Sequence, residues 1–352
     1  MLPITFGEIV REYLMSLVPE KLLHLQRFIG NTPLVKIFCE IDSKKVEIYA
    51  KYEPYNYTGS IKDRMVFQII KSAYSTGVLT EKDTFVEATS GNTGIALAAM
   101  GAYLGHRVDI YMPSWMSEER KRLLRFYGAN LFEITAEQGG FMKCIELALK
   151  KSQKNGYFGP KQFDNTWNIM AHVNTTAPEL EKTLKDNDLG DLDVFITGMG
   201  TGGTIMGFHH YFSQKKDDFK AHPILPDKNE DGEHRIEGIG DSFIPKIVDL
   251  QALSPILRVN DADAINIARQ INKLGLSVGI SSGANVFGAI LKAEDAPNNF
   301  NVATILCDCN KKYLTTDLCS ATTEPLSRDI KITNYKLIFE KYVKCDRLSY
   351  ER

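Results

Sequence analysis

The sequence predicts an α/β protein with a mainly parallel sheet and helices on both faces. Three observations carry this. Short apolar stretches of strand length alternate with longer amphipathic stretches of helix length along most of the chain. Gly- and Thr-rich turns separate them. The length, 352 residues, suits two domains or one large α/β unit.

The elements follow in order. The first ~25 residues read as an amphipathic helix ahead of Gly30-Asn31-Thr32-Pro33. Val46 to Tyr52 is strand-like, and Lys62 to Tyr74 is helical with Met65, Ile69 and Ile70 on one face. A strand is expected over Thr84–Ala88, a helix over Thr93–Leu104, a strand over Arg107–Met112 and a helix over Ser117–Tyr127. Asn130–Ile134 is the next strand, then a helix over Gly140–Lys154 and another over Asn168–Leu184. The unit repeats as Leu192–Thr197 (strand), Thr204–Phe212 (helix) and Ala221–Leu225 (strand). Helices over Asp261–Leu274 and Gly283–Leu291 precede a strand over Val302–Cys307. Repeated βα units of this kind form parallel sheets covered on both faces. Pro226 to Gly232 is a polar surface loop. Periodicity fades beyond about residue 320, and Tyr335–Tyr342 reads as an appendage.

Composition narrows the class. Hydrophobic residues make up 43% and charged residues 24%, with a net charge of -2, which disfavours nucleic acid and membrane surfaces as partners. No apolar run reaches the ~18 residues a membrane span requires. Glu8, Arg11 and Glu12 interrupt the N-terminal apolar stretch, unlike a signal peptide. Six scattered cysteines in a chain this long read as reduced thiols, so a cytoplasmic location is expected.

Four motifs carry chemistry. Lys62 follows Thr58-Gly59-Ser60 at a helix start after a strand, where α/β sheets build their sites. Alone it reads as a solvated lysine; a desolvated amine there suits imine chemistry. Thr89-Ser90-Gly91-Asn92-Thr93-Gly94 joins a strand to a helix, so its backbone N–H groups can face an anion. Gly198-Met199-Gly200-Thr201-Gly202-Gly203 matches the dinucleotide fingerprint, but that reading leaves Lys62 unexplained. Read as Gly200-Thr201-Gly202-Gly203-Thr204, the same loop offers amides and two hydroxyls to one phosphate. Gly279-Ile280-Ser281-Ser282-Gly283 supplies a hydroxyl for a pyridine nitrogen. Together these parts suit pyridoxal 5'-phosphate. A neutral Ser281 opposite the nitrogen favours β-elimination and β-addition over transamination. Cys307-Asp308-Cys309 lacks further ligands at zinc spacing, and no metal is expected.

With these residues in hand, the chain resembles the cysteine synthase (O-acetylserine sulfhydrylase) family of fold-type II pyridoxal-phosphate enzymes over roughly residues 25 to 320. The likeness rests on Gly30 to Val35, Asn56 to Arg64, Glu87 to Gly94, Pro113 to Arg120, Gln162-Phe163, Gly200 to Thr204, His234 to Phe243 and Gly279 to Ala284, in that order. It implies two three-layer αβα domains. Residues 1–55 would pack with the large domain, 56–165 form a smaller mobile lobe, 166–320 the large phosphate-binding domain, and 321–352 an extension. Lys62 would carry the cofactor and take the α-proton. Asn92 would touch the cofactor's O3′, Gly200 to Thr204 would hold its phosphate, and Ser281 would face its nitrogen. Thr89, Ser90, Gly91, Asn92, Thr93 and Gln162 would bind the substrate carboxylate, with Gly238 and Ile239 over its amino group.

The resemblance also implies a homodimer, and the family docks the C-terminal peptide of serine acetyltransferase in its site. The implied reaction runs through an α-aminoacrylate, giving cysteine from O-acetylserine and sulfide. The alternative is a cysteine lyase releasing hydrogen sulfide, with water or a thiol adding to give serine, lanthionine or cystathionine. A non-catalytic binding protein of the same fold is a third reading. Asn56-Tyr57 and Cys307 to Tyr313 depart from the usual family segments, and Asp231, Glu233 and His234 place acids and an imidazole before Gly238.

Overall fold

The structure is a computed structural model; it describes residues 14, 16–228, 233–297, 300–320 and 324–339. It contains two sheets. The larger has the order β11-β1-β2-β10-β7-β8-β9 and the smaller β5-β4-β3-β6. In the large sheet these strands are β1 (Leu34–Ile41), β2 (Lys44–Tyr52), β7 (Val194–Gly198), β8 (Lys220–Pro226), β9 (Leu257–Val259), β10 (Val302–Leu306) and β11 (Ile330–Ile338). In the small sheet they are β3 (Thr84–Ala88), β4 (Val108–Pro113), β5 (Asn130–Ile134) and β6 (Tyr157–Phe158).

The small sheet is parallel throughout, as are the β2-β10-β7-β8-β9 pairings. The β1-β2 and β1-β11 pairings are antiparallel. β1 turns into β2 through Asp42 and Ser43, both at positive φ (47° and 70°), a tight hairpin that the sequence reading did not resolve.

Period-two alternation sorts side chains to the two faces of the large sheet. Val35, Ile48 and Ile196 face a core shared with the helices Asp261–Lys273 and Ile280–Glu294. Leu34, Tyr49 and Phe195 face a second core with the helices Ala177–Asp186 and Gly203–Phe212. The small sheet packs Phe85 and Ile110 against Met65 and Ile69 of the helix Lys62–Ser75 and Leu97 of the helix Asn92–Leu104. Its other face holds Val86 and Ala88 against Cys144 and Ala148.

Three expectations are corrected. The N-terminal helix, described here as Glu20–Leu25, places Leu22 and Leu25 in the core of the small sheet, not of the large one. The cause is local: this short helix packs against the helix Asn92–Leu104, in the same apolar cluster. β11 is the edge strand of the large sheet, not an appendage, because its backbone completes the free edge of β1, Leu34 opposite Ile338. The helix expected over 168–184 runs as Trp167–Ala171, a π turn His172–Thr176, and Ala177–Asp186. Pro178 has no N–H to give, and Thr175 Oγ1 donates to Ala171 O at 2.6 Å, which widens the turn. The N-terminal residues 1–13, and Asp231 and Gly232, lie outside the described residues.

Candidate active site

The cleft is built from strand ends and helix starts of both sheets. Lys62 opens its helix, and a backbone bond and a side-chain cap fix that turn. Ile61 N–H donates to Cys307 O at 2.9 Å, at the end of β10. Asp63 reaches back to accept from Thr58 N–H (2.8 Å) and Thr58 Oγ1 (2.7 Å). Burial pushes the Asp63 carboxyl up to about 6 despite these bonds. The Lys62 amine is enclosed by protein yet borders open cleft, so its side chain remains partly accessible. Burial holds its pKa below the ordinary lysine value, while Cys307, Asp308 and Asp241 pull it back up. A desolvated amine that loses its proton readily is what an imine-forming lysine needs.

Beneath Lys62 lies an ion network. Arg64 donates to Glu53 through Nε (2.6 Å) and Nη2 (2.9 Å), and to Glu179 through Nη1 (2.8 Å) and Nη2 (2.7 Å). Lys51 pairs with Glu179 at 2.9 Å. Thr32 Oγ1 donates to Glu53 at 2.7 Å, and Gly30 N–H donates to Asn56 Oδ1 at 2.9 Å. Gly30 takes a positive φ, and a Cβ there would lie 2.8 Å from Glu179 Oε1. The Gly30 to Pro33 motif is thus tied into the clamp under the lysine rather than into the cleft.

The turn before Asn92 is held by Gly91 N–H donating to Thr89 Oγ1 (3.0 Å). Thr93 Oγ1 donates to Gln162 Oε1 (2.6 Å), whose Nε2 donates to Ala88 O (2.7 Å). Asn92 is engaged on both ends of its amide: Nδ2 donates to Asp308 Oδ2 and Oδ1 accepts from Lys312 Nζ, each at 2.8 Å.

The Gly198–Thr204 loop runs against the loop at Gly238. A Cβ on Gly200 would lie 2.2 Å from Gly238 O, and one on Gly203 would lie 1.9 Å from Asn168 Oδ1. Asn168 Nδ2 donates to Thr201 Oγ1 (2.9 Å), and Thr204 Oγ1 meets His172 Nε2 at 3.2 Å. The π turn is what brings His172 to this loop. Ser281, buried, sits in the first turn of its helix beside Cys307, and Ser282 Oγ accepts from Cys307 N–H at 2.8 Å.

Lys62, Thr89, Ser90, Asn92, Thr93, Gln162, Gly200, Thr201, Thr204, Gly238, Ile239 and Ser281 all line one cleft. Gly91, Gly202 and Gly203 do not line it; they shape the turns behind it. Sequence reasoning gave no role to Arg120, Phe141, Glu237, Asp241 or Cys307, which also line it. Arg120 and the Glu237–Asp241 loop fell within quoted motifs, and only the fold shows that they converge. Asp241 faces Lys62 across the cleft, and burial pushes its carboxyl up to about 6 against the pull of that lysine. Glu233 and His234 lie outside this cleft, on an adjoining vestibule.

The family profile described as "Pyridoxal-phosphate dependent enzyme" matches residues 25–308. The chain belongs to this family. Within it, the chain is a member of the cysteine synthases. It is 39% identical over 306 residues to cysteine synthase B of Campylobacter jejuni, covering 84% of this chain and 97% of that protein. A hydrogen sulfide-producing enzyme from Fusobacterium nucleatum superposes with a TM-score of 0.85 at 40% identity, covering 91% of this chain and 99% of that one. Cysteine synthase from Entamoeba histolytica does so with a TM-score of 0.76 at 34% identity, covering 86% of this chain and 91% of that one.

The cofactor of this pyridoxal-phosphate enzyme fits the residues present. Gly200 leaves room that a Cβ would fill with a clash, beside two threonine hydroxyls at a helix start. The lysine amine and a serine hydroxyl line the same cleft.

Proposed function

We propose that the chain eliminates sulfide from L-cysteine and adds water, or a thiol, at the same β-carbon. With water the balance is L-cysteine plus water giving L-serine plus hydrogen sulfide. Pyridoxal phosphate, when bound, supplies the electron sink that acidifies the substrate's α-proton and lets the β-substituent depart. Lys62 holds the cofactor and carries the α-proton on Nζ. The Gly200–Gly203 backbone with the Thr201 and Thr204 hydroxyls takes its phosphate, and Ser281 meets its ring nitrogen without adding charge. Ser90, Asn92, Thr93 and Gln162 orient the substrate carboxylate.

The observation that carries this reading is Asp241, a carboxylate in the cleft whose pKa is pushed up to about 6. Sulfide already holds a substantial fraction of nucleophilic hydrosulfide anion near neutral pH and needs no base to add. Water and thiols do, and a carboxylate poised near the working pH serves them. The relative from Fusobacterium nucleatum supports the same choice.

The test compares native holoenzyme with Asp241→Asn. Sulfide and serine are measured from L-cysteine, and cysteine from O-acetyl-L-serine plus sulfide. General-base loss costs about 10²–10⁴ in rate, expected for serine formation alone. An equal loss in both reactions sinks the reading and favours cysteine synthesis as the main activity.

Exposed Phe28 lies beside Tyr57, Tyr57 lies near Tyr127, and Tyr127 packs on exposed Phe126. This aromatic stripe suits a homodimer, checked by light scattering.

A further inference from the structure

Arg120 is a buried cation that the proposed chemistry leaves unused. It sits in the helix Glu118–Phe126, with its stem laid over Gly91, where a Cβ would lie 2.5 Å from Arg120 Cδ. Its guanidinium carbon is 4.7 Å from the Tyr313 ring centroid. It forms an ion pair with Glu237, reaching from the small-sheet side of the cleft to the large-sheet side. Even so, Arg120 Nε is buried without a hydrogen-bond partner among the described residues.

Among the described residues, four charged side chains line the cleft: Lys62, Arg120, Glu237 and Asp241. With Lys62 committed to the cofactor, Arg120 is the remaining cation among them. A guanidinium, with its fork of N–H donors, is the side chain best matched to phosphate and sulfonate groups. Here Glu237 occupies that position. Glu237 and Asp241 also line the outer vestibule, whose other walls include Trp115 and Met116. A substrate entering from the vestibule therefore passes both carboxylates before reaching Lys62.

We infer that Glu237 masks Arg120 and so restricts the cleft to substrates with an uncharged ester or thiol β-substituent, excluding phosphorylated and sulfonated ones. The inference rests on the proposed cofactor placement but not on the choice between cysteine and O-acetylserine. Neutralising Glu237 leaves a buried guanidinium without its partner, and an anionic β-substituent can then take the vacated place.

The test uses the holoenzyme, in which the cofactor's own phosphate fills the Gly200–Thr204 cradle. Inorganic phosphate binding is read from perturbation of the visible cofactor band. The kcat/KM ratio of O-phospho-L-serine to O-acetyl-L-serine is read with sulfide as nucleophile. Glu237→Gln is expected to raise both phosphate affinity and that ratio by about tenfold or more, the scale of one charge-assisted contact. The double variant Glu237→Gln with Arg120→Gln should return both to native values. No gain in Glu237→Gln overturns the inference, as does a gain that survives loss of Arg120. If Glu237→Gln fails to fold, Glu237→Ala takes its place, and the native enzyme still decides: equal use of the two esters refutes the masking. Failure of the cysteine reading shows separately, as absence of sulfide from L-cysteine with the ester ratio unaffected.

Discussion

Glu179→Gln removes one carboxylate from the clamp beneath Lys62 while keeping its shape. Glu179 stays ionised, because Arg64 and Lys51 outweigh the burial that would protonate it. Lys51 is pulled the other way: burial lowers its pKa, and Glu179 is the chief group holding it up. The variant leaves two buried cations sharing Glu53. Breaking one side of a buried ion pair costs about 3–5 kcal/mol. An unfolding entropy of about 2.1 cal/mol/K per residue gives roughly 0.74 kcal/mol/K for a chain of 352 residues, hence a Tm loss of about 4–7 °C. The control is Lys246→Ala, which breaks an exposed pair with Asp164 (2.7 Å) worth at most about 1 kcal/mol, or under ~1.5 °C. Differential scanning calorimetry of both variants measures this. pH adds a second signature. A lysine whose folded pKa lies below its unfolded one binds fewer protons when folded, so stability rises with pH. Without Glu179 that depression deepens, and the deficit should be larger at pH 6 than at pH 9. A Tm loss no larger than the control's, or one independent of pH, would refute the reasoning.

The Glu87 carboxyl accepts from Ala88 N–H and Gln162 N–H, yet burial pushes it up to about 7. Its folded pKa exceeds its unfolded one, so the folded state binds more protons and stability falls as pH rises from about 4.5 to 7, by roughly 3 kcal/mol in all. Glu87→Gln should flatten that slope in urea titrations at pH 5 and 8; an unchanged slope excludes Glu87 as its source. Gly200→Ala drives a Cβ to 2.2 Å from Gly238 O, backbone against backbone. Strain of ~1–3 kcal/mol predicts cofactor affinity weakened about 10–100-fold in equilibrium dialysis, with native-like affinity speaking against the cradle. Lys62→Ala, resupplied with pyridoxal phosphate, should lack the visible band near ~410–420 nm; persistence of that band would place the cofactor on another residue.

Much of this molecule was legible because its signals are local. Asn130–Ile134 and Asp261–Lys273 match expectation closely, since alternation and helical periodicity lie within each segment. Lys62, the Thr89–Thr93 turn and the Gly200–Thr204 loop stand out because chemistry in parallel α/β folds gathers where strands end and helices begin, and the fold brings residues of all three to one cleft. What escaped is what depends on distant partners. β11 alternates poorly, and its place is set by hydrogen bonds to β1 rather than by an apolar face. The sequence drew attention to the acids and imidazole ahead of the Gly238 loop, but among the described residues the carboxylates lining the cleft are Glu237 and Asp241, which flank that glycine. Arg120 and Glu237 meet only through tertiary structure, and neither looks unusual in its own segment.

The strand order also bears on synthesis. β1 and β2 precede the other strands of their sheet and can pair as soon as both are made, through Asp42-Ser43. Their outer neighbours, β10 and β11, begin at Val302 and Ile330, after every other strand of that sheet. Until those two strands are made, the β1-β2 hairpin therefore carries two unpaired edges, the form of strand most prone to pairing with another chain. The turn that seats Lys62 is anchored through Ile61 to Cys307, immediately after β10. A nascent chain stalled before that point lacks the anchor, so the arrival of β10 serves both the sheet and the lysine turn.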